Sequence, residues 1–357
     1  MRLLVLPADG IGPEIMRATI EVLNAADRRY GLDLVCDTDE IGFASLERHG
    51  TTLRDETLER ARGYDGVVLG PISHLDYPPR ERGGRNVSAA FRVELDLYAN
   101  IRPARSRPYL ARGAQGMDVV IVREATEGFY PDRNMVDGTG EFMPTPDVAL
   151  SVRKITARAS ERIARVAFAL AETRRRHVTA IHKANAFILT DGLFLESVRR
   201  VHADFPDVAL DEVIVDAMAA HLVRDPSPYD VILATNLYGD ILSDLAGELS
   251  GSLGLAGSIN ANPELGIVCA QAQHGSAPDI AGRDVANPTS LILSVAMMLR
   301  GLAERRGDAA LEEAGVAIER AVDATLADPG TRTRDLGGML GTSAFAAAVA
   351  SAVEGSA

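Results

Sequence analysis

Met1-Arg-Leu-Leu-Val-Leu-Pro-Ala-Asp9, running directly into Gly10-Ile-Gly-Pro-Glu14, decides the fold class. Leu3–Pro7 reads as a buried strand, the Gly-rich segment as a turn, and the chain from about Pro13 to Arg29 as a helix. Outward from there the alternation repeats: a strand at Leu34–Cys36, a helix near Leu53–Arg62 and a strand at Gly66–Leu69. Strands separated by helices predict an α/β fold with parallel pairing. Further strands are expected at Asp118–Val122, Val178–His182, Glu212–Val215 and Val231–Ala234, between helices near Arg158–Arg175, Asp191–Asp204 and Asp240–Glu248. The last third offers a Gly-rich loop, Gly275–Gly282, then helices at about Thr289–Arg305, Ala309–Thr325 and Gly341–Val353. No internal repeat or low-complexity linker separates these blocks, so two lobes with crossing connections are expected rather than two beads in series.

At 357 residues the chain is long enough for two lobes and a large core, and 46% apolar with 24% charged is ordinary for a soluble globular protein. Its net charge of −13 disfavours nucleic acid and anionic membranes as partners. An anionic substrate must then be met by a local group of arginines. Cys36 and Cys269 lack metal-ligand spacing and form no framework, which suits a reducing cytoplasm. The N-terminal apolar run is too short for a signal peptide, and no segment approaches the roughly 20 apolar residues of a membrane span.

Asn236-Leu-Tyr-Gly-Asp240-Ile-Leu-Ser-Asp244-Leu sets two carboxylates four residues apart in a helix-forming run, on one helical face. Flanked by Ile241, Leu242 and Leu245, such a pair resists burial unless a cation or a proton compensates it. A divalent metal is the reading favoured over a solvated acidic face. Asp216, at the end of the apolar run Ile214-Val-Asp, is a candidate third oxygen ligand. Few carboxylates with oxygens from water or substrate suit Mg²⁺ or Mn²⁺ better than zinc.

Lys154 and Lys183 are the only two lysines. Unlike a guanidinium, an ammonium can give up its proton near neutral pH, which makes Lys183, in Ile181-His-Lys-Ala-Asn185, a candidate base. Lys154 reads as a strand-edge residue. Arg92, Arg102 and Arg123 each sit beside apolar residues, either as ion pairs or as bidentate carboxylate binders. Arg105, Arg107 and Arg153 lie in polar runs and read as solvated surface. Tyr130, after a Thr-Glu-Gly turn, is either a proton donor or a packed phenol with a bonded hydroxyl. His274-Gly-Ser-Ala-Pro-Asp-Ile-Ala-Gly282, with Asn287-Pro-Thr289 after it, reads as a loop whose backbone can approach a nucleotide. Gly10-Ile-Gly12 lacks the third glycine of a Rossmann fingerprint.

Taken together the chain resembles the β-decarboxylating dehydrogenases, the family of isocitrate, isopropylmalate, homoisocitrate and tartrate or D-malate dehydrogenases. The likeness rests on Asp9–Glu14, Leu97-Tyr-Ala-Asn-Ile-Arg-Pro103, Arg123-Glu-Ala-Thr-Glu-Gly-Phe-Tyr130, His182–Asn185, Asn236–Asp244 and His274–Asp279, in that order. It implies a two-lobed isopropylmalate/isocitrate dehydrogenase-like α/β fold, not a Rossmann fold, whose lobes share a central sheet. A larger nucleotide-binding lobe would comprise 1–98 and 251–357, and a smaller metal-binding and dimerisation lobe 99–250. It further implies a cytoplasmic homodimer with shared active sites. Arg92, Arg102 and Arg123 would bind the malate carboxylates; Asp240 and Asp244 would bind Mg²⁺ or Mn²⁺ with Asp216 of the neighbouring subunit. Lys183, also from the neighbour, would be the base and Tyr130 the acid. NAD is implied along Ile11, Asn185, His274, Gly275, Ser276, Ala277, Asp279 and Asn287, with the Asp279 carboxylate favouring ribose hydroxyls over a 2′-phosphate.

Three departures from the family pattern matter. Ala8 replaces the usual Gly before Asp9, a tolerable change, and Gln271 stands where many members have Glu, so an altered contact near the cofactor is expected. Asn86-Val-Ser-Ala-Ala-Phe-Arg92, on the helix that reads the C3 substituent, carries Ser88 and Ala89 where isopropylmalate enzymes tend to place Leu. The pocket is therefore expected to be small and polar. His74, Arg80, Arg82 and Arg85 of the Pro71–Arg85 loop are either solvated or poised for a second anionic group, such as a carboxylate, phosphate or phosphonate. A non-catalytic regulatory subunit of a hetero-oligomer is the alternative, disfavoured because Tyr130, Lys183, Asp216, Asp240 and Asp244 are all present.

Overall fold

The computed structural model describes residues 1–110, 113–135 and 138–355, which divide into two compact units: Met1–Leu95 with Ser252–Ala357, and Asp96–Gly251. The first unit opens with β1 (Arg2–Leu6), α1 (Gly12–Tyr30), β2 (Val35–Thr38), α2 (Gly42–His49), α3 (Asp55–Ala61), β3 (Gly66–Leu69) and α4 (Val87–Glu94). The second holds β4 (Ala99–Arg105), β5 (Asp118–Glu124), β6 (Glu141–Thr145), β7 (Val148–Ser151), α5 (Ala157–Glu172), β8 (His177–His182), α6 (Thr190–His202), β9 (Ala209–Ile214), α7 (Val215–Arg224), β10 (Val231–Ala234) and α8 (Asn236–Leu249). The chain then returns to the first unit with β11 (Ile259–Asn262), β12 (Ile267–Gln271), α9 (Thr289–Arg306), α10 (Ala309–Ala327) and α11 (Thr342–Gly355).

In the first unit the strand order is β2-β1-β3-β12-β11, parallel except for the closing β12–β11 pair. The turn after β1 makes a close backbone approach. Ile11 N–H donates to the Ser276 carbonyl at 2.8 Å, and a Cβ on Gly10 would lie 2.0 Å from that oxygen. Only glycine fits there. Ala8, in the same turn, sits at φ 61°, a left-handed conformation that costs an alanine about 1–2 kcal/mol and explains the usual glycine. Asp9 braces the turn through the Phe43 and Ser73 amides, at 2.8 and 3.0 Å, and the Tyr77 hydroxyl.

In the second unit the order is β4-β5-β10-β8-β9, with only β4–β5 antiparallel. Strand β5 is buried on both faces, and its alternation sorts the core. Val120 and Val122 pack with Phe168 and Phe194, while Val119 and Ile121 pack with Met218, Tyr238 and Leu242. Arg123 follows the parity of 119 and 121, which puts it on the face covered by α8. On β4, Ala104 packs on that face and Ala99 on the opposite one, so Arg102 shares the face with Arg123. A Cβ on Gly239 would come within 2.7 Å of the Arg123 side chain, so the glycine lets α8 lie directly over it.

Several elements differ from the sequence reading. Asp216 does not end a strand: β9 stops at Ile214 and Asp216 occupies the first turn of α7. The β-branched run Val213-Ile-Val215 extends the strand signal, but the Ala-Met-Ala-Ala segment that follows is helix-forming. Arg153 is not solvated. Its side chain is 5% exposed and pairs with Asp191, which is fully buried. Arg107 is likewise buried.

The turn after β5 also buries Glu127, whose carboxylate accepts from the Thr156 amide at 2.7 Å and hydroxyl at 3.0 Å. Burial, with nearby Glu124 adding to it, pushes this carboxyl from its ordinary 4.5 up to about 7. Between those values the unfolded chain binds fewer protons than the folded one, so this group lowers stability as pH rises. Glu127→Gln is expected to leave stability unchanged near pH 4 and to raise it above pH 7 by up to about 3 kcal/mol. Urea denaturation at the two pH values checks this; a gain of equal size at both would sink it.

Candidate active site

The center of the second unit's site is the meeting of β4, β5 and α8. Asp240 and Asp244 project from one face of α8, with side chains 34% and 55% exposed, at the edge of its buried stripe. The compensating charge that such a pair requires is supplied by the protein: Arg102 Nη1 lies 3.3 Å from Asp240 and 3.2 Å from Asp244, and Arg123 Nη1 pairs with Asp240. Burial and adjacent Arg123 pull the Arg102 guanidinium down to about 10, which leaves it protonated at neutral pH. Arg123 is fixed by Asn236, whose Oδ1 accepts from its Nε and Nη2 at 2.9 and 2.6 Å. Asn236 in turn donates to the Glu127 carbonyl at 2.7 Å. The sequence reading missed Asn236; its place at the start of a helix-forming run, four residues before Asp240, was the only local signal.

Tyr130 donates its hydroxyl hydrogen to Asp240, and the Arg123 and Arg133 guanidinium carbons lie 5.4 and 5.0 Å from its ring centroid. Three of the residues singled out from the sequence therefore meet on Asp240: Arg102, Arg123 and Tyr130. Lys183 and Asp216 form a separate pair, Nζ to Oδ1. The lysine holds the Asp216 carboxyl below the usual carboxylate range. Lys183 is seated by its backbone, which donates to buried Asp191 at 2.5 Å. Arg153 neutralises Asp191 and packs 5.1–5.2 Å from the ring centroids of Phe129, Phe187 and Tyr238. Asn185 is exposed in the segment after β8.

Among the described residues, no three His, Cys, Asp or Glu side chains gather as a metal cage. A divalent ion nonetheless fits the Asp240–Asp244 pair on chemical grounds. Both donors are hard carboxylate oxygens, and both approach one nitrogen, Nη1, of the Arg102 guanidinium.

The other residues singled out lie in the first unit. Ser88 and Arg92 stand on α4, capped by Asn86, whose side chain accepts from the Ala89 amide at 3.1 Å. Ser276 is buried and shares a 2.7 Å hydrogen bond with Ser73, while Ala277 adopts φ 37° and Gly275 and Asp279 are exposed. His274 Nδ1 donates to the Gly275 carbonyl at 3.0 Å, and its buried Nε2 has no hydrogen-bond partner among the described residues. Burial lowers the imidazole's affinity for a proton, so Nε2 is a bare acceptor. Asn287 donates to Asp335 at 3.0 Å. In the 71–85 loop, Arg85 pairs with Asp55 at 2.7 Å, while His74, Arg80 and Arg82 are exposed.

Comparisons with known proteins place the chain by family and fold. A family model described as isocitrate/isopropylmalate dehydrogenase matches residues 2–349. An isocitrate/homoisocitrate dehydrogenase of Thermus thermophilus is 43% identical over 355 residues, spanning 99% of this chain and 98% of its own. A 3-isopropylmalate dehydrogenase of Archaeoglobus fulgidus is 40% identical over 354 residues, 99% of each chain. The crystal structure of isocitrate dehydrogenase from Methylococcus capsulatus matches with a TM-score of 0.87 at 38% identity, covering 99% of each chain. With a family model spanning nearly the whole chain and full-length relatives about 40% identical, the chain belongs to the isocitrate/isopropylmalate dehydrogenase family of β-decarboxylating dehydrogenases.

Proposed function

We propose that this chain catalyses NAD-dependent and Mg²⁺- or Mn²⁺-dependent oxidative decarboxylation of a 3-substituted D-malate to a 2-keto acid and CO₂. The observation that carries the reading is the convergence of Arg102, Arg123 and Tyr130 on Asp240, one turn from Asp244. When bound, NAD supplies a hydride acceptor, and a divalent ion held by Asp240 and Asp244, with Asp216 of the partner subunit, supplies Lewis acidity. Arg92, Arg102 and Arg123 bind the two malate carboxylates and hold C2 and C3 in place. Lys183 of the partner subunit removes the C2 hydroxyl proton, and Tyr130 returns a proton to C3 once CO₂ has left.

On the nucleotide side, His274 Nε2 is a buried lone pair suited to a donor such as the adenine amine. The exposed Asp279 carboxylate favours ribose hydroxyls and repels a 2′-phosphate. A homodimer is supported by the β6–β7 hairpin, whose Phe142, Met143, Val148 and Leu150 are 49, 62, 41 and 47% exposed in the single chain. An isolated two-stranded hairpin is marginal in water, and a second copy would cover these side chains.

The deciding experiment is NADH formation by purified protein with Mn²⁺ on D-malate, tartrate, isocitrate, homoisocitrate, isopropylmalate and a phosphonomethyl analogue. Turnover of at least one of them, with NAD preferred to NADP, is expected. Nucleotide binding without turnover on any would instead support the regulatory-subunit reading.

A further inference from the structure

We infer that Gln271 is a positioning residue that turns the Ser88 hydroxyl proton outward, so that the site selects a malate whose C3 substituent bears an anionic hydrogen-bond acceptor. The inference deepens the proposed function and rests on Ser88 facing that substituent.

A directed chain of hydrogen bonds in the first unit carries it. Arg92 Nε lies 3.0 Å from the Asn260 side-chain oxygen, Asn260 Nδ2 lies 3.3 Å from Gln271 Oε1, and Gln271 Nε2 lies 2.6 Å from Ser88 Oγ. Amide oxygen and nitrogen are assigned from their hydrogen-bonding partners, and here one end settles every link. A guanidinium only donates, so the Asn260 atom facing it is the oxygen. The Asn260 atom facing Gln271 is then NH₂, which requires the Gln271 oxygen in return. The remaining Gln271 group is NH₂, and it donates to Ser88. With Asn260 2% and Gln271 9% exposed, neither amide can flip without stranding a buried polar group.

Ser88 Oγ therefore accepts on its inner side, and its single hydrogen is left to donate away from Gln271. A carboxylate at position 271 would reverse the last link: it would accept the Ser88 hydrogen and leave only lone pairs to face the substrate. A hydroxyl presented as a donor favours a carboxylate on the C3 substituent; one presented as an acceptor repels it.

The test is a four-enzyme cycle of wild type, Ser88→Ala, Gln271→Glu and the double variant. Each is assayed with isopropylmalate and with the better of isocitrate and homoisocitrate. In Gln271→Glu the ratio of kcat/KM for the acidic substrate to that for isopropylmalate is expected to fall roughly 10- to 100-fold, carried by KM rather than kcat. Ser88→Ala should lower the ratio similarly, and the double variant should fall no further, because both act through one hydroxyl. Gln271→Met, neutral and of similar size, leaves the Ser88 hydrogen available and should cost less than about fivefold, which separates lost polarity from lost packing. An effective Ser88→Ala with a silent or additive Gln271→Glu overturns the relay alone. A silent Ser88→Ala overturns both the relay and the placement of Ser88 against the substrate.

Discussion

Lys183→Met is expected to lower kcat about 10³-fold while leaving NADH binding, followed by fluorescence, within about threefold of wild type. The loss follows from how the lysine is presented. Its backbone is pinned to Asp191, itself neutralised by Arg153 inside a ring of Phe129, Phe187 and Tyr238, so position 183 is rigid and only the side chain is removed. Lys183→Arg separates charge from proton transfer. A guanidinium can keep the ion pair with Asp216 but cannot serve as a base near neutral pH. The arginine variant should therefore lose nearly as much kcat as the methionine variant. If it instead retained wild-type turnover, Lys183 would be an electrostatic partner of Asp216 and the base would have to be sought elsewhere.

How much of this was legible in the sequence depended on whether a residue's neighbours were local. The four-residue spacing of Asp240 and Asp244 was readable because it lies within one helix. The burial of β5 was readable from an unbroken apolar run. What neutralises the carboxylates was not readable: placing Arg102 and Arg123 on one face requires the antiparallel register that pairs Asn100 with Arg123. Pro108, Gly113 and Gly116 mark a break between the two strands, but nothing in the sequence marks their register. Arg153 was misread for a related reason, since Val152-Arg-Lys154 looks like surface until Asp191 and three aromatic rings arrive from distant segments. The Ser88–Gln271 contact crosses 183 residues, and Asn260 lies on β11, a strand too short and polar to announce itself.

Asp240→Asn is expected to abolish turnover to below about 10⁻³ of wild type, a loss of several kcal/mol in transition-state stabilisation. It should also destabilise the chain by roughly 1–2 kcal/mol, the buried-pair cost discounted for the partial exposure of Asp240, because Arg102 and Arg123 lose their shared carboxylate. Excess Mn²⁺ should raise the melting temperature of wild type but not of the variant. A normal Mn²⁺ shift in Asp240→Asn would remove this residue from the metal site. The variant also decides whether active sites are shared. When Asp240→Asn and Lys183→Met chains are unfolded together and refolded as a mixture, about half of the dimers contain one of each. If a site joins Asp240 of one chain to Lys183 of its partner subunit, each mixed dimer has one site with both groups intact and one with neither. The mixture should then regain about a quarter of wild-type activity. If each site draws both groups from a single chain, every site carries a lesion and the mixture stays as inactive as its parents.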